Sequence, residues 1–220
     1  IKKNNLLLVF LFLNHLLFSQ TLKEQFPADS PIDVIEQLGD YIPLDTIFID
    51  GSGETVTLKD LFQKNIPTIL TLNYFECPML CTLVLNGLAE SIEKLTLNAG
   101  EEYQIITIDI NPNESTAFAN QKKKNYIAGY NLKNIKNDCH FLTGDQESIK
   151  KIADSIGFIY YYDKDRDEYM HPAAISVLSP EGKISRYLYG AQFLEKAIFE
   201  NTQDGSVKEI NCNGLFYAIG

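Results

Sequence analysis

Two cysteines, Cys77 and Cys81, stand four positions apart where a β-rich apolar run meets an apolar run of helical character. Pro78 fits the first turn of a helix, because its φ is fixed and it lacks a backbone donor. The helix dipole then favours thiolate over thiol, and we expect the Glu76 carboxylate, which would oppose this, to point to solvent. Both sulfurs share one helical face, so they can form a structural bridge, exchange disulfides or bind one soft metal ion. The structural bridge is disfavoured because so short a loop restricts the unfolded chain little.

A metal held by two sulfurs needs a further ligand, and His171 is the candidate. It directly precedes a β-rich run, and Pro172 confines its backbone to the extended region, which aims the imidazole in one direction. His140 is the competing histidine. It starts a predicted strand beside Cys139, and adjacent strand residues point to opposite faces, so we expect both to be structural.

The elements that must position these residues alternate between strands and helices. Hydrophobic periodicity and turn residues predict a hairpin over 47–57 with a helix starting near Leu58, strands at 67–75, 103–111 and 140–144, helices at 82–97, 115–131 and 148–158, a hairpin over 173–190 and a closing helix over 191–200. This order predicts an α/β fold of thioredoxin-like type, with a central mixed sheet, helices on both faces and an N-terminal β-hairpin extension.

Length and charge limit the classes of function. The chain has 220 residues and 45% hydrophobic content, which suits one generous globular domain. Its 19 Lys and Arg against 29 Asp and Glu give a net charge of -10, so its surface repels phosphate backbones. We therefore expect no nucleic-acid partner.

The first twenty residues have the order of a secretory signal. Lys2 and Lys3 precede an apolar run over 6–18, which ends at the small residue Ser19. The run is short for a bilayer span, and a retained N-terminal anchor is the alternative. We expect an exported protein that is periplasmic, or membrane-anchored and facing the periplasm. The predicted segments are a signal or anchor over 1–20, a lead-in over 21–44 that wraps the domain, a thioredoxin-like domain over 45–200 and a C-terminal tail over 201–220.

Four stretches carry a resemblance to a known family. They read YFECPMLCTLVLNGL, TIDINPNES, CHFLTGD and YMHPAAISVLSPEGKISRYLYG, and in this order they resemble the Sco/SenC family of copper-binding, thioredoxin-like proteins. The resemblance covers about residues 40 to 199. It implies that Cys77, Cys81 and His171 bind copper, and that the protein serves assembly of the dinuclear copper site of cytochrome c oxidase. Cys212 has no role in this pattern.

The softness of these ligands agrees with copper. Two thiolates suit Cu(I), and an added imidazole lets the same pocket hold Cu(II), although zinc accepts this ligand set as well. Asp109, at the end of the predicted strand 103–111, should share a sheet edge with the cysteines and orient the ligands without binding the metal. A strand-end cap or turn residue is the alternative for Asp109. Met79 and Met170 flank the ligands in sequence, and we expect both to serve in packing.

We therefore predict a copper chaperone, not an enzyme, that passes one copper ion by ligand exchange to the cysteines of a copper-binding oxidase subunit or of another copper carrier. One alternative is a thiol-disulfide reductase that acts on the oxidase subunit's cysteines, although three residues rather than two separate this pair. A peroxiredoxin-like peroxidase would carry threonine where Tyr74 stands. A metal-free binding module would leave the His171 loop unexplained.

Overall fold

A mixed β-sheet with helices on both faces organises the chain, and the computed structural model describes residues 32–76, 80–129, 137–189, 193–200 and 207–215. For residues 80–83, 193–200 and 207–215 it describes the backbone alone. The strands, in chain order, are β1 (Asp33–Val34), β2 (Ile47–Ile49), β3 (Thr55–Thr57), β4 (Thr68–Asn73), β5 (Gln104–Asp109), β6 (Cys139–Leu142), β7 (Phe158–Ile159), β8 (Tyr161–Asp163), β9 (Glu168–Met170), β10 (Ala174–Leu178), β11 (Ile184–Tyr189), β12 (Phe193–Glu200) and β13 (Val207–Leu215). The helices are α1 (Leu58–Leu61), α2 (Leu80–Lys94), α3 (Thr116–Gly129) and α4 (Gln146–Ser155), and a 3₁₀ turn, Phe62–Lys64, follows α1.

The central sheet has five strands in the order β11-β10-β4-β5-β6. β4, β5 and β6 run parallel, whereas β10 pairs antiparallel with β4 and β11 antiparallel with β10. Almost every residue of β4 and all of β5 are buried, as the apolar runs predicted for central strands. The predicted mixed sheet is confirmed.

Two hydrophobic clusters lie on the two faces of this sheet. In β5, Ile106 and Ile108 join the first cluster and Ile105 joins the second, as the alternation of strand side chains requires. The helices cover both clusters, since α1 and α4 contribute to the first and α2 and α3 to the second. The sheet is therefore shielded on both sides, and its strand ends are where polar side chains can meet.

Both predicted hairpins are present. β2 pairs with β3 from Ile47 opposite Thr57, and β10 pairs with β11. The helix predicted near Leu58 starts there because Thr57 caps it: the Thr57 hydroxyl accepts from the Asp60 N–H, and the Asp60 carboxylate accepts from the Thr57 N–H. Two further pairings, β1 with β7 and β8 with β9, were not predicted.

The closing helix predicted over 191–200 is wrong, because Phe193–Glu200 form β12. β12 pairs antiparallel with β13, from Phe193 opposite Leu215 to Glu200 opposite Val207. Leu, Glu, Lys and Ala favour helix in isolation, but helix propensity is weak and cross-strand bonding satisfies these backbone groups instead. Cys212 lies in β13, and β13 lies against α2.

The lead-in contributes more to the core than its sequence predicted. Ile42 is 4% exposed and belongs to the first cluster, and its N–H donates to the Gly182 carbonyl at 3.0 Å. Residues 21–31 and the predicted signal or anchor over 1–20 lie outside the described residues. Among the described helices, none combines the length and apolarity needed to cross a bilayer.

Candidate metal centre

The segment that leads to Cys77 begins where β4 ends. Its last strand residue, Asn73, stands opposite Asp109, the last residue of the parallel strand β5. Residues 74–76 follow, of which the first two are buried and the third, Glu76, is exposed, as predicted. Asp109 therefore lies on the sheet edge from which the cysteine segment departs.

The strand register brings His171 to the same edge. β10 runs antiparallel to β4 with Ile175 opposite Thr71, so the residues just before β10 lie beside the residues just after β4. A ring contact supports this placement, because Tyr74, after β4, meets Tyr169, in β9, with centroids 5.5 Å apart and an edge-to-face angle of 63°. The β8–β9 hairpin, which the sequence did not predict, ends at Met170 and thus positions the next residue, His171, at this edge.

His171 is held in a defined orientation. It is 3% exposed, and its ring stacks on Phe158 with centroids 6.1 Å apart and an interplanar angle of 24°. Its Nδ1 lies 3.0 Å from the Pro172 carbonyl oxygen. With the hydrogen on Nδ1 donated to that carbonyl, the lone pair lies on Nε2, which is the form in which imidazole binds a metal.

The two cysteines are less completely described. Cys77 and Pro78 lie outside the described residues, and Cys81 lies in the first turn of α2, where the backbone alone is described. The expectation that both sulfurs share one helical face stays a prediction. Within the described ranges, no three His, Cys, Asp or Glu side chains group closely enough to hold a metal ion.

Asp109 is a buried acid at this edge. It is 0% exposed, and its Oδ1 accepts from the Asn111 N–H at 3.0 Å. Burial, and secondarily the neighbouring Glu114 carboxyl, raise the pKa of Asp109 well above its usual range. The Asp109 carboxyl therefore keeps its proton at neutral pH.

Sequence reasoning missed Glu114, which lies between β5 and α3. Its Oε1 accepts from the Glu76 N–H at 2.9 Å, and its carboxyl neighbours that of Asp109. An acidic residue shortly before a helix is ordinarily interpreted as favouring the helix N-terminus, so the sequence offers no signal for this contact. The contact between Glu114 and Glu76 becomes evident only in the structure, where the chain after β5 turns back toward the cysteine segment.

Asp109→Asn is expected to stabilise the protein at neutral and alkaline pH. The folded pKa of Asp109 lies above the unfolded value of 3.8, so this group's contribution to stability is complete below 3.8 and is lost as the pH rises toward the folded pKa. An amide carries its hydrogens at every pH and avoids this loss. We expect a gain on the order of 2 kcal/mol in the free energy of unfolding at pH 8 and less at pH 5, measured by urea denaturation.

The exposed Asp154, which bonds Lys150 at 2.7 Å, supplies the control variant Asp154→Asn. This variant should leave the difference between pH 5 and pH 8 unchanged. An Asp109→Asn protein with the same pH dependence as wild type would contradict the buried proton.

Cys139 and His140 occupy the positions expected of structural residues. Cys139 is free and buried in the second cluster, and burial raises the pKa of its thiol to about 12. Burial lowers the pKa of His140 to about 4, so its imidazole is neutral at physiological pH. Both residues lie on β6, which two intervening strands separate from β10, so β6 does not place them beside His171.

Comparison with known proteins gives a family match over most of the chain. The sequence model described as SCO1/SenC matches residues 45–204. The mitochondrial protein SCO1 homolog 1 of Arabidopsis thaliana is 30% identical over 165 residues, which are 74% of this chain and 45% of that protein. The chain thus matches less than half the length of this curated relative.

Solved structures share the fold. A crystal structure of an Aquifex aeolicus VF5 protein assigned to electron transfer is 28% identical, covers 70% of this chain and 85% of its own, and superposes with a TM-score of 0.59. The crystal structure of Arabidopsis thaliana ScoI with copper bound is 24% identical, covers 70% and 89%, and has a TM-score of 0.56. The predicted thioredoxin-like fold is confirmed.

Proposed function

Because the chain belongs to the SCO1/SenC family, we propose that it is a copper chaperone which holds one copper ion through Cys77, Cys81 and His171. The Sco family is one of cytochrome c oxidase assembly proteins. We propose the copper-binding subunit of that oxidase, or another copper carrier, as the acceptor. Export, with the domain over 45–200 facing the periplasm near a membrane, belongs to the same proposal.

One observation supports this function above the others, namely the restrained orientation of the His171 imidazole. The imidazole is buried, stacked on Phe158 and bonded through Nδ1 to the Pro172 carbonyl. A surface histidine without a ligand role needs none of these restraints. They restrain the orientation of the ring, and the register of β10 on β4 brings His171 to the sheet edge from which the cysteine segment departs, which supports a shared site of two sulfurs and one nitrogen.

The ligand set suits transfer rather than storage. Thiolates bind Cu(I) well, and the imidazole extends the site to Cu(II), which favours nitrogen ligands. Each thiol gives up a proton when copper binds and regains one when the ion moves to the acceptor's cysteines. Reduction of the acceptor's cysteines by the same pair without metal is the alternative activity, and it needs no histidine.

Anaerobic copper titration of the reduced protein tests the chaperone. We expect one copper ion per chain with both Cys77 and Cys81 consumed, because the site contains two sulfurs, measured by metal analysis and thiol counting. Loading with Cu(II) should give a thiolate charge-transfer band in the visible. After mild oxidation the pair should form a reversible disulfide and retain far less copper.

Cys139→Ser and Cys212→Ser are the matched controls, since they remove the two sulfurs outside the proposed site. Both variants should keep the visible band. Its loss in either one would show that the wrong sulfurs are assigned, and wild-type protein that retains no copper would refute the chaperone.

A further inference from the structure

We propose that Glu114 is a positioning residue for the cysteine segment. Together with Lys122, it holds the backbone that leads into Cys77 in one orientation. This inference rests on the proposed function, because the held segment ends at the first proposed copper ligand.

One peptide group carries the argument, and its two ends belong to Phe75 and Glu76. The Lys122 Nζ donates to the Phe75 carbonyl at 2.6 Å, and the Glu76 N–H donates to Glu114 Oε1 at 2.9 Å. A peptide group is planar, so bonds to its oxygen and to its nitrogen together fix the rotation of the whole plane. Cys77 is the next residue in the chain.

The peptide group lies outside regular structure. Strand β4 has ended at Asn73, and among the described residues no helix or strand ladder supplies its partners. The partners that the structure shows are side chains. Glu114 and Lys122 both come from the chain that follows β5, since one precedes α3 and the other lies within it.

Asp109 is a neighbour of Glu114. One oxygen of each carboxyl, Asp109 Oδ2 and Glu114 Oε2, is buried, and no donor in the described part of the chain reaches it. Neither carboxyl has a salt-bridge partner among the described residues. Burial raises the pKa of Asp109, so its protonated carboxyl is the donor available to the neighbouring Glu114 oxygen.

Two consecutive backbone groups, the Phe75 carbonyl and the Glu76 N–H, are thus bonded by Lys122 and Glu114 in turn. Glu114 and the lysine therefore act on the loop as one unit.

Two substitutions at one position separate positioning from mere presence of a side chain. Glu114→Gln keeps the Oε1 acceptor for the Glu76 N–H. Glu114→Ala removes that acceptor. Positioning therefore predicts that glutamine preserves the wild-type loop and that alanine does not.

The measurement is hydrogen exchange at the Glu76 amide in the reduced, metal-free full chain, with the rate of iodoacetamide alkylation at Cys77 as second readout. In Glu114→Ala we expect amide exchange to accelerate about tenfold, relative to the core amide of Ile106, because its acceptor is lost. The alkylation rate should change in the same variant. Glu114→Gln should match wild type in both readouts.

Glu102→Ala is the matched control, because the Glu102 Oε2 also accepts a backbone N–H, that of Asn98, at 3.0 Å but far from the loop. It should leave the Glu76 amide unchanged. If Glu114→Ala does not fold, Lys122→Met frees the other end of the same peptide group and should likewise accelerate exchange.

Unchanged exchange at Glu76 in the folded variants, or equal acceleration by Gln and Ala at position 114, would overturn the positioning role. The proposed function is tested independently of this inference. If wild-type protein binds no copper, the chaperone is refuted, whereas the exchange and alkylation results still decide whether Glu114 holds the loop.

Discussion

His171→Ala is expected to weaken Cu(II) binding by at least about 100-fold, because loss of a mere outer hydrogen-bond partner of a ligand already costs about 10- to 100-fold. The imidazole is the only nitrogen ligand in the proposed site, and Cu(II) favours nitrogen. Cu(I) should remain bound to the two thiolates with a smaller loss of affinity. Metal content, visible absorption and competition titrations measure the binding of both copper ions.

The same variant separates the chaperone from a reductase. A dithiol reductase needs its sulfurs alone, so Cys77 and Cys81 should still oxidise and reduce in His171→Ala. His140→Ala is the control, because that imidazole lies on β6 away from the proposed site. Undiminished Cu(II) binding in His171→Ala would refute the three-ligand site, and equal damage from His140→Ala would mean that the histidines are misassigned.

Gly157→Ala is expected to lower the free energy of unfolding by about 3–5 kcal/mol, measured by urea denaturation. Gly157 has a φ of +63°, and a Cβ there would lie 1.8 Å from the carbonyl oxygen of Ile35. The clash is with backbone, and the two residues are already joined by the bond from the Ile35 N–H to the Gly157 carbonyl at 2.9 Å. Relief of the clash therefore requires β1 to separate from β7.

Gly53→Ala isolates the backbone part of this cost. Gly53 has a φ of +90°, but no atom lies within 4 Å of a Cβ built there. Strain at positive φ alone should cost about 1 kcal/mol. If both variants lost the same free energy, the close approach of Gly157 to Ile35 would have no energetic consequence.

The parts of the fold that follow from local pattern were predictable. β4 and β5 lie in β-rich runs with isoleucine and leucine, and α2 and α4 have apolar residues at helical spacing, so the hydrophobic pattern alone identifies them. The closing segment failed because its residue types favour helix, while its actual partner, β13, lies in a stretch without a comparable pattern. Pairing between distant segments produces little recognisable pattern in the sequence of either segment.

The proposed site could be recognised in the sequence as a set of residue types but not as an arrangement. Cys77, Cys81 and His171 stand out because few soft ligands exist in the chain, and their spacing limits what they can do. The contact of Glu114 with the Glu76 N–H depends on how the loop after β5 returns to the sheet edge. No local pattern of residues indicates that return.

The antiparallel pairing of β10 with β4 has a consequence for biosynthesis. The thiols precede β5 in the chain, whereas His171 reaches their sheet edge only after β10 has been made and has paired with β4. A nascent chain that has emerged as far as β6 therefore possesses both thiols but no imidazole beside them. During that interval the pair is open to oxidation, and the proposed site lacks its nitrogen ligand for Cu(II), so we expect Cu(II) loading to follow completion of the chain.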